Sequence, residues 1–470
     1  MRRKQVLLLL VMMVLTSSAQ VQNAIVEHSD GFRNIFPSLY DNPALQYLHY
    51  DSSLNQISVD YEYSAKCNPL TVETGDGANL GIGKIEAYIR KQKNVLWGEA
   101  RYSNGQIRDI RRNETSDYEL VYPYVMADTI GGDLHVETYF FMGGFARTAG
   151  RWTVGAQGAY SASLSSRTTD PRPKNLTSDL HISFGASCRL NGLYAVGSAL
   201  RGRKYQQTNE LEIYNQTSSP TIYHLTGLGH DYYRFRGENM ETYYNGYGWG
   251  GTVSLSPEAQ RGGLYMVAAY DYLMIRKVLS ALNELPLTQI KDDMLHLEAG
   301  YITHGMKNKF GAKTSLTYER RRGTENIFGS ASNNIYPQIS SAQMYRRNLS
   351  VVSVEGLYQH QQVKSRYDCS VHVGYGSSKE SYAEPYQEVR DNSFYAGTVF
   401  GGLWRVKDFV VNLNSYVDAG NQRYDASVVA KADWAAARRY NVFVSAGWHY
   451  GKYANGGYGN EVETTVGVEF

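Results

Sequence analysis

His296 with Glu298, and Asp368 with His372, each put a histidine close in sequence to a carboxylate. An imidazole steered by a carboxylate is the general-base part of a hydrolytic site, able to draw a proton from a hydroxyl or a water. Both spacings are even, so on a β-strand each pair shares one face. A four-residue step on a strand is about 13 Å, too far for Asp368 and His372 to hydrogen-bond directly. Next-but-one neighbours such as His296 and Glu298 rarely make a working dyad, and no nucleophile motif accompanies either pair. A hydrolase is therefore the weakest functional reading, and the chain is not expected to be an enzyme. Asp60 with Glu62 and Lys431 with Asp433 repeat the same-face pattern. Charges of both signs on one strand face suit a hydrated or plugged interior, where water and cross-strand partners satisfy them.

A second group is aromatic. Tyr232, Tyr233, Tyr243 and Tyr244 precede Tyr247 and Trp249. Such a run can stack on sugar rings as an outer binding rim. The plainer alternative is an interfacial girdle, where the apolar ring and polar tip of Tyr are both satisfied. Cys67, Cys188 and Cys369 are widely separated and odd in number, so they predict neither a disulfide framework nor a metal site. No cofactor is expected.

The elements that carry these residues are strands. From Gln56 onward apolar residues fall on alternate positions, beginning with Ile57, Val59, Tyr61 and Tyr63 against Ser58, Asp60, Glu62 and Ser64. Leu134, Val136, Thr138, Phe140 and Met142 are expected on the apolar face of one strand. Ile182 to Leu190 runs into Asn191-Gly192, a dipeptide that fits a type I′ hairpin turn. The pattern predicts an all-β fold, a transmembrane antiparallel barrel of about 18 strands, with a range of roughly 16–20. Short connections alternate with long ones, the long ones expected near 111–133, 206–241, 276–288 and 322–345. Short periplasmic turns and long outer loops have this arrangement. Strands of roughly 12–16 residues exceed what the bilayer needs.

Both ends of the chain agree. Arg2, Arg3 and Lys4 precede an apolar core from Val6 to Leu15, with Ser17 and Ala19 at small-residue cleavage positions. This predicts a signal peptide over 1–19, removed after Ala19. Its loss takes the net charge from +2 to −1 (2 − 3), so no nucleic-acid partner is expected. At the other end Val462, Thr464, Val466, Val468 and Phe470 alternate with polar residues and Gly467. A terminal Phe preceded by apolar residues at two and four positions resembles the closing strand of bacterial outer-membrane barrels. The resemblance implies that Phe470, Val468 and Val466 form the assembly signal, with the barrel assembly machinery and outer-membrane lipid as partners.

Residues 20–55 differ from the rest, with two prolines and no sustained alternation. Asn42-Pro43-Ala44 resembles the N-terminal segment of the fatty-acid-transporter family and its Bacteroidota relatives, where this motif begins a small hatch inside the barrel. The segment is either such a hatch or a short periplasmic lead-in, with 56–470 as the barrel. The mature chain is similar to the uncharacterised outer-membrane barrels of Bacteroidota, which implies a Gram-negative host. Energised transporters of the TonB-dependent kind need about 22 strands and a far larger plug, so that plan does not fit. The expected function is a passive channel or transporter for small solutes, with Asp60, Glu62, His296, Glu298, Asp368, His372, Lys431 and Asp433 lining the lumen. The alternative is a non-conducting surface barrel whose outer loops, at Tyr232, Tyr233, Tyr243 and Tyr244, bind glycan, lipid or a partner protein. Substrate and oligomeric state are not readable from the residues.

Overall fold

The computed structural model describes residues 18–470 apart from 191, 215–220, 238–240, 259–261, 304, 306, 334, 438 and 439. The positive n-region and apolar core of the expected signal peptide lie outside the described residues, as does Asn191 of the hairpin turn. Ala19 sits in the first turn of helix α1, Ser18–His28.

Eighteen strands form one antiparallel sheet. The first six are β1 (Leu54–Cys67), β2 (Gly77–Lys91), β3 (Asn94–Ile110), β4 (Gly132–Ala149), β5 (Trp152–Ser166) and β6 (Arg172–Leu190). Then come β7 (Tyr194–Glu212), β8 (Glu241–Pro257), β9 (Gly263–Leu279), β10 (Leu285–Ile302), β11 (Asn308–Phe328) and β12 (Gln338–Gln361). The last six are β13 (Ser365–Tyr382), β14 (Gln387–Val406), β15 (Phe409–Gly420), β16 (Arg423–Ala437), β17 (Tyr440–Tyr453) and β18 (Tyr458–Glu469). Each pairs with its successor, and β18 returns to β1 with Val468 opposite Ile57 and Val462 opposite Tyr63. The backbones of Asn55 and Phe470 then exchange two hydrogen bonds of 2.9 Å. The sheet is a closed barrel, which leaves no strand edge unpaired in lipid.

Alternation builds the exterior. Val59, Val154, Leu200, Val253 and Val466 are all more than half exposed. Along β13, Tyr367 and Tyr375 both face outward, eight residues or about 26 Å apart on the strand. A strand tilt of about 40° reduces that to about 20 Å along the barrel axis, close to the apolar band of roughly 25 Å that such barrels present to lipid.

Three expectations need correction. Strands run from 12 residues in β18 to 24 in β12, longer than expected. Two of the expected long loops are therefore mostly strand: only 280–284 separates β9 from β10, and only 329–337 separates β11 from β12. Residues such as Arg320, Arg322 and Arg346 join the ladder although their alternation is not apolar. Long-range side-chain contacts help to hold these extensions: Phe328 packs with Phe235, Leu285 and Leu287, and the Tyr382 hydroxyl donates to Glu325 at 3.0 Å. Finally, Leu134, Val136, Phe140 and Met142 of β4 point inward. Tyr139, Phe141 and Phe145 take the outer face, opposite Tyr102, Ala100 and Leu96. Both faces of β4 are apolar, so alternation alone cannot choose between them; pairing with β3 does.

Candidate functional site

The end of the barrel that holds both termini is filled by residues 18–53. After α1 come three 3-10 turns, Gly31–Arg33, Pro37–Asp41 and Pro43–Leu48. Proline opens the last of them, where its fixed φ suits a helical start and its missing N–H costs nothing. Asn42 caps that turn, its Oδ1 accepting from the Ala44 amide at 3.0 Å. Its Nδ2 donates to the carbonyls of Ala186 and Ser198 on the wall, at 3.4 and 3.2 Å. Asn42 is completely buried.

The wall is shaped for it. Gly155, Gly185 and Gly197 face inward on β5, β6 and β7, with Gly155 directly opposite Gly185. A Cβ at Gly185 would stand 1.9 Å from Asn42 Oδ1, and one at Gly155 would stand 2.6 Å from the Pro43 carbonyl carbon. Only glycines allow the segment's backbone this close to the strand ladder. Apolar contacts hold the other sides. Phe32, Ile35, Phe36 and Leu39 pack on Tyr265, Val267 and Ile302 of β9 and β10. Val21, Ile25 and Val26 of α1 pack on Leu403 and Val410 of β14 and β15. Arg366 donates to the Val26 carbonyl at 2.8 Å, and Gln359 to Asp30 at 2.7 Å.

Inside the segment four rings stack in series: Tyr40 on His49 (3.7 Å), His49 on Tyr50 (3.9 Å), and Tyr50 on His28 (3.8 Å). Burial, with help from His28 and Arg33, holds the His49 imidazole down to about 3. Burial likewise lowers His28. Both shifts favour the neutral imidazoles. A cavity of about 400 Å³ remains beside the segment, between Ile25, His28 and Tyr50 on one side and Glu86, Glu99 and Lys431 on the other.

All eight expected lumen residues face the interior. Asp60 accepts from Ser58 at 3.4 Å. Glu62 lies opposite Glu463 across the closing seam, a like-charge pair. His296 and Glu298 do meet, Nε2 to Oε1 at 3.4 Å. The same Nε2 reaches Ser38 Oγ at 3.2 Å, while Nδ1 faces Thr317 at 2.9 Å. Glu298 and the Ser38 hydroxyl thus share one ring nitrogen, while the Thr317 hydroxyl takes the other. Asp368 and His372 take separate partners, Arg366 and Gln359 for the first, Asp418 at 3.1 Å for the second. Lys431 bridges Asp433 and Glu469 beside the C-terminus. Glu469 and Asp418 belong to these ion pairs although the sequence reading did not single them out. Inward Asn414, Glu463 and Arg101 are exposed, so water reaches the lumen along β15, β18 and β3.

The opposite mouth carries a cap made of residues 111–131 and 221–237. Met126–Ala127 pairs with Tyr223–Gly227, which folds back on His230–Asp231. Val121 and Val125 are buried against Tyr205, Tyr244, Leu273 and Ile275 of the barrel wall. Lys277 donates to the Val125 carbonyl at 3.0 Å, and Arg321 to those of Glu119 and Tyr122. The fully buried pair Glu114–Arg167, at 2.8 Å, pins the start of the cap.

The four tyrosines do not form one rim. Tyr244 is buried, and its hydroxyl donates to the Tyr124 carbonyl at 2.8 Å, clamping the cap from inside. Tyr243 is its neighbour on β8 and points to the other face, as successive strand residues must. Tyr232 bonds the Asn326 carbonyl, and Tyr233 alone is largely exposed.

The chain is similar to the siderophore receptor PirA from Pseudomonas aeruginosa (8% identity, TM-score 0.40, 89% of this chain and 81% of that one). It is also similar to BauA, the ferric preacinetobactin receptor of Acinetobacter baumannii (6%, 0.40, 88% and 80%). A third is the copper transporter OprC (8%, 0.45, 89% and 80%). Scores this low say nothing of what this chain carries. Among curated proteins no match is found. Residues 43–470, the whole barrel together with the Asn42-capped turn, match the family described as "Family of unknown function (DUF6850)", and the chain belongs to that family.

Proposed function

We propose that this protein is an outer-membrane channel for small solutes in which residues 20–53 act as a hatch. The observation that carries the reading is the seating of that segment: it fills one end of a barrel whose interior is otherwise charged and wetted. Eighteen strands enclose an aqueous path unless something occupies it. The passage is passive, and Asp60, Glu62, His296, Glu298, Asp368, His372, Lys431 and Asp433 line it. The Asn42-Pro43-Ala44 motif supports a hatch; the charged interior gives no reason to carry over a hydrophobic cargo from the fatty-acid transporters. In this reading the host is a Gram-negative bacterium of the Bacteroidota and the signal is removed after Ala19. The barrel assembly machinery reads Val466, Val468 and Phe470. The protein performs no chemistry of its own.

Single-channel conductance in planar bilayers tests this, comparing the full mature chain with one lacking residues 20–53. The full chain is expected to be silent or to open briefly, and the shortened one to conduct steadily. Steady conductance of the full chain would remove the hatch. Silence of both would remove the channel and favour the second reading, a surface barrel that binds through its loops, which the folded cap supports.

A further inference from the structure

Between the two cap segments lies a cleft of about 600 Å³, within the roughly 300–1,000 Å³ typical of small-molecule sites. Its walls carry Tyr118, Tyr122 and Tyr223 together with Arg112, Arg236 and Glu73. The aromatic side is held in place. The rings of Tyr118 and Tyr122 sit 5.5 Å apart, and Tyr122 meets Tyr345 edge-on at 5.9 Å. The Arg236 guanidinium lies over the rings of both Tyr223 (5.1 Å) and Tyr233 (4.9 Å). It also grips Asp231 with two hydrogen bonds of 2.9 and 2.6 Å. That pair is internally neutralised.

Two charged groups remain uncommitted. Arg112 is exposed, and among the described residues it makes no hydrogen bond or ion pair. The Glu73 carboxylate likewise hydrogen-bonds nothing there. One is a donor fork and the other an acceptor, of opposite charge, so the cleft offers no net attraction for a strongly charged ligand. Rings on one side and a balanced donor and acceptor on the other suit a molecule with apolar C–H faces and hydroxyls that both give and receive.

The space below repeats that chemistry. Glu73 and Tyr118 also border a chamber of about 570 Å³ beneath the cap, so they form the partition between cleft and interior. One chamber wall is apolar, with Ile107, Leu134 and Val136, the last two being the β4 residues that turn inward. The adjoining strand of the same wall is hydroxylated, with Ser165 directly opposite Val136 in the ladder and Ser161 and Ser163 beside it. Leu134 is already buried, but Ile107 and Val136 are only partly covered, and apolar surface left facing water costs free energy that a ligand would recover.

We propose that the cap cleft is a binding site for a neutral oligosaccharide, whose ring faces lie on Tyr118, Tyr122 and Tyr223 and whose hydroxyls bridge Arg112 and Glu73. Bound sugar then sits directly above the Tyr118–Glu73 partition. Binding at the cleft does not depend on conduction, so its failure and that of the hatch are separable.

The test uses the full mature chain in a sugar-free amine-oxide detergent, titrated calorimetrically with maltotriose, mannotriose and xylotriose, and with trigalacturonate as an anionic comparison. At least one neutral trisaccharide is expected to bind. Arg112→Ala and Tyr223→Ala should each weaken it tenfold or more, while Tyr223→Phe, which keeps the ring, retains it. Heat-modifiable gel mobility confirms that each variant is a folded barrel. The proposal is overturned if no neutral trisaccharide binds, if trigalacturonate binds more tightly, or if a folded Arg112→Ala/Tyr223→Ala double variant binds like the parent.

Discussion

Asn42 shows how much one side chain does in this chain. It ends one 3-10 turn, caps the next and spends its amide on two wall carbonyls, all without exposure to water. The Asn-Pro-Ala step is legible in the sequence; its seat is not, because Gly155, Gly185 and Gly197 lie far apart in the chain and only strand register brings them together. Gly185→Leu is expected to expel Asn42 while leaving the outer face of β6 untouched. Losing the buried bonds of Asn42 costs roughly 1–3 kcal/mol. Trypsin should then cut after Arg33 in the folded barrel, and conductance of the full chain should rise. Protection equal to that of the parent would show that Asn42 does not hold the hatch.

At the scale of elements, the proposed hatch is held by a stack of rings rather than a helix bundle, and it is expected to be sensitive to acid. His28 and His49 are held below their ordinary value when docked, the second to about 3, and return to about 6.5 when released. Below pH 6.5 the released segment therefore binds more protons than the docked one. Docking is at full strength above about pH 6.5 and weakens as pH falls toward 3. Asp41 works in the other direction, since burial raises its carboxyl against the pull of Arg201. Glu27, Arg33 and Asp51 also face this cluster through ion pairs. Open probability of the full chain should rise between pH 7.5 and 5. A flat profile over that range would exclude the ring stack as the latch. β4 teaches a related point: two apolar faces leave the outward side undecided until β3 pairs with it.

For the molecule as a whole, closure depends on its first and last strands finding each other. β18 has β1 on one side and β17 on the other, and Phe470 meets Asn55 through its own backbone, its carbonyl accepting also from Asn55 Nδ2 at 3.3 Å. Phe470→Asp keeps those bonds available but places a charge on the outward face at the rim, next to Val468 and Val466. Assembly should fall several-fold, read as loss of the heat-modifiable band in outer-membrane fractions. An undiminished band would mean that the terminal residue is not part of the assembly signal.

Period-2 alternation along the chain determined the barrel, about how many strands it has, which side chains of β1 and β18 meet lipid, and which end carries the short turns. These follow from local rules, because a strand's two faces are set by adjacent residues. That the eight side chains expected in the lumen point inward was readable for the same reason. The tertiary structure alone decided that residues 18–53 enter the barrel, that the cap folds over the other mouth, and that Tyr244 faces away from Tyr243 to clamp it. It also decided the polar extensions of β11 and β12. Each of these rests on contacts between residues distant in sequence, such as Asn42 with Ser198 or Val125 with Lys277, and no periodicity within a strand encodes such a pair.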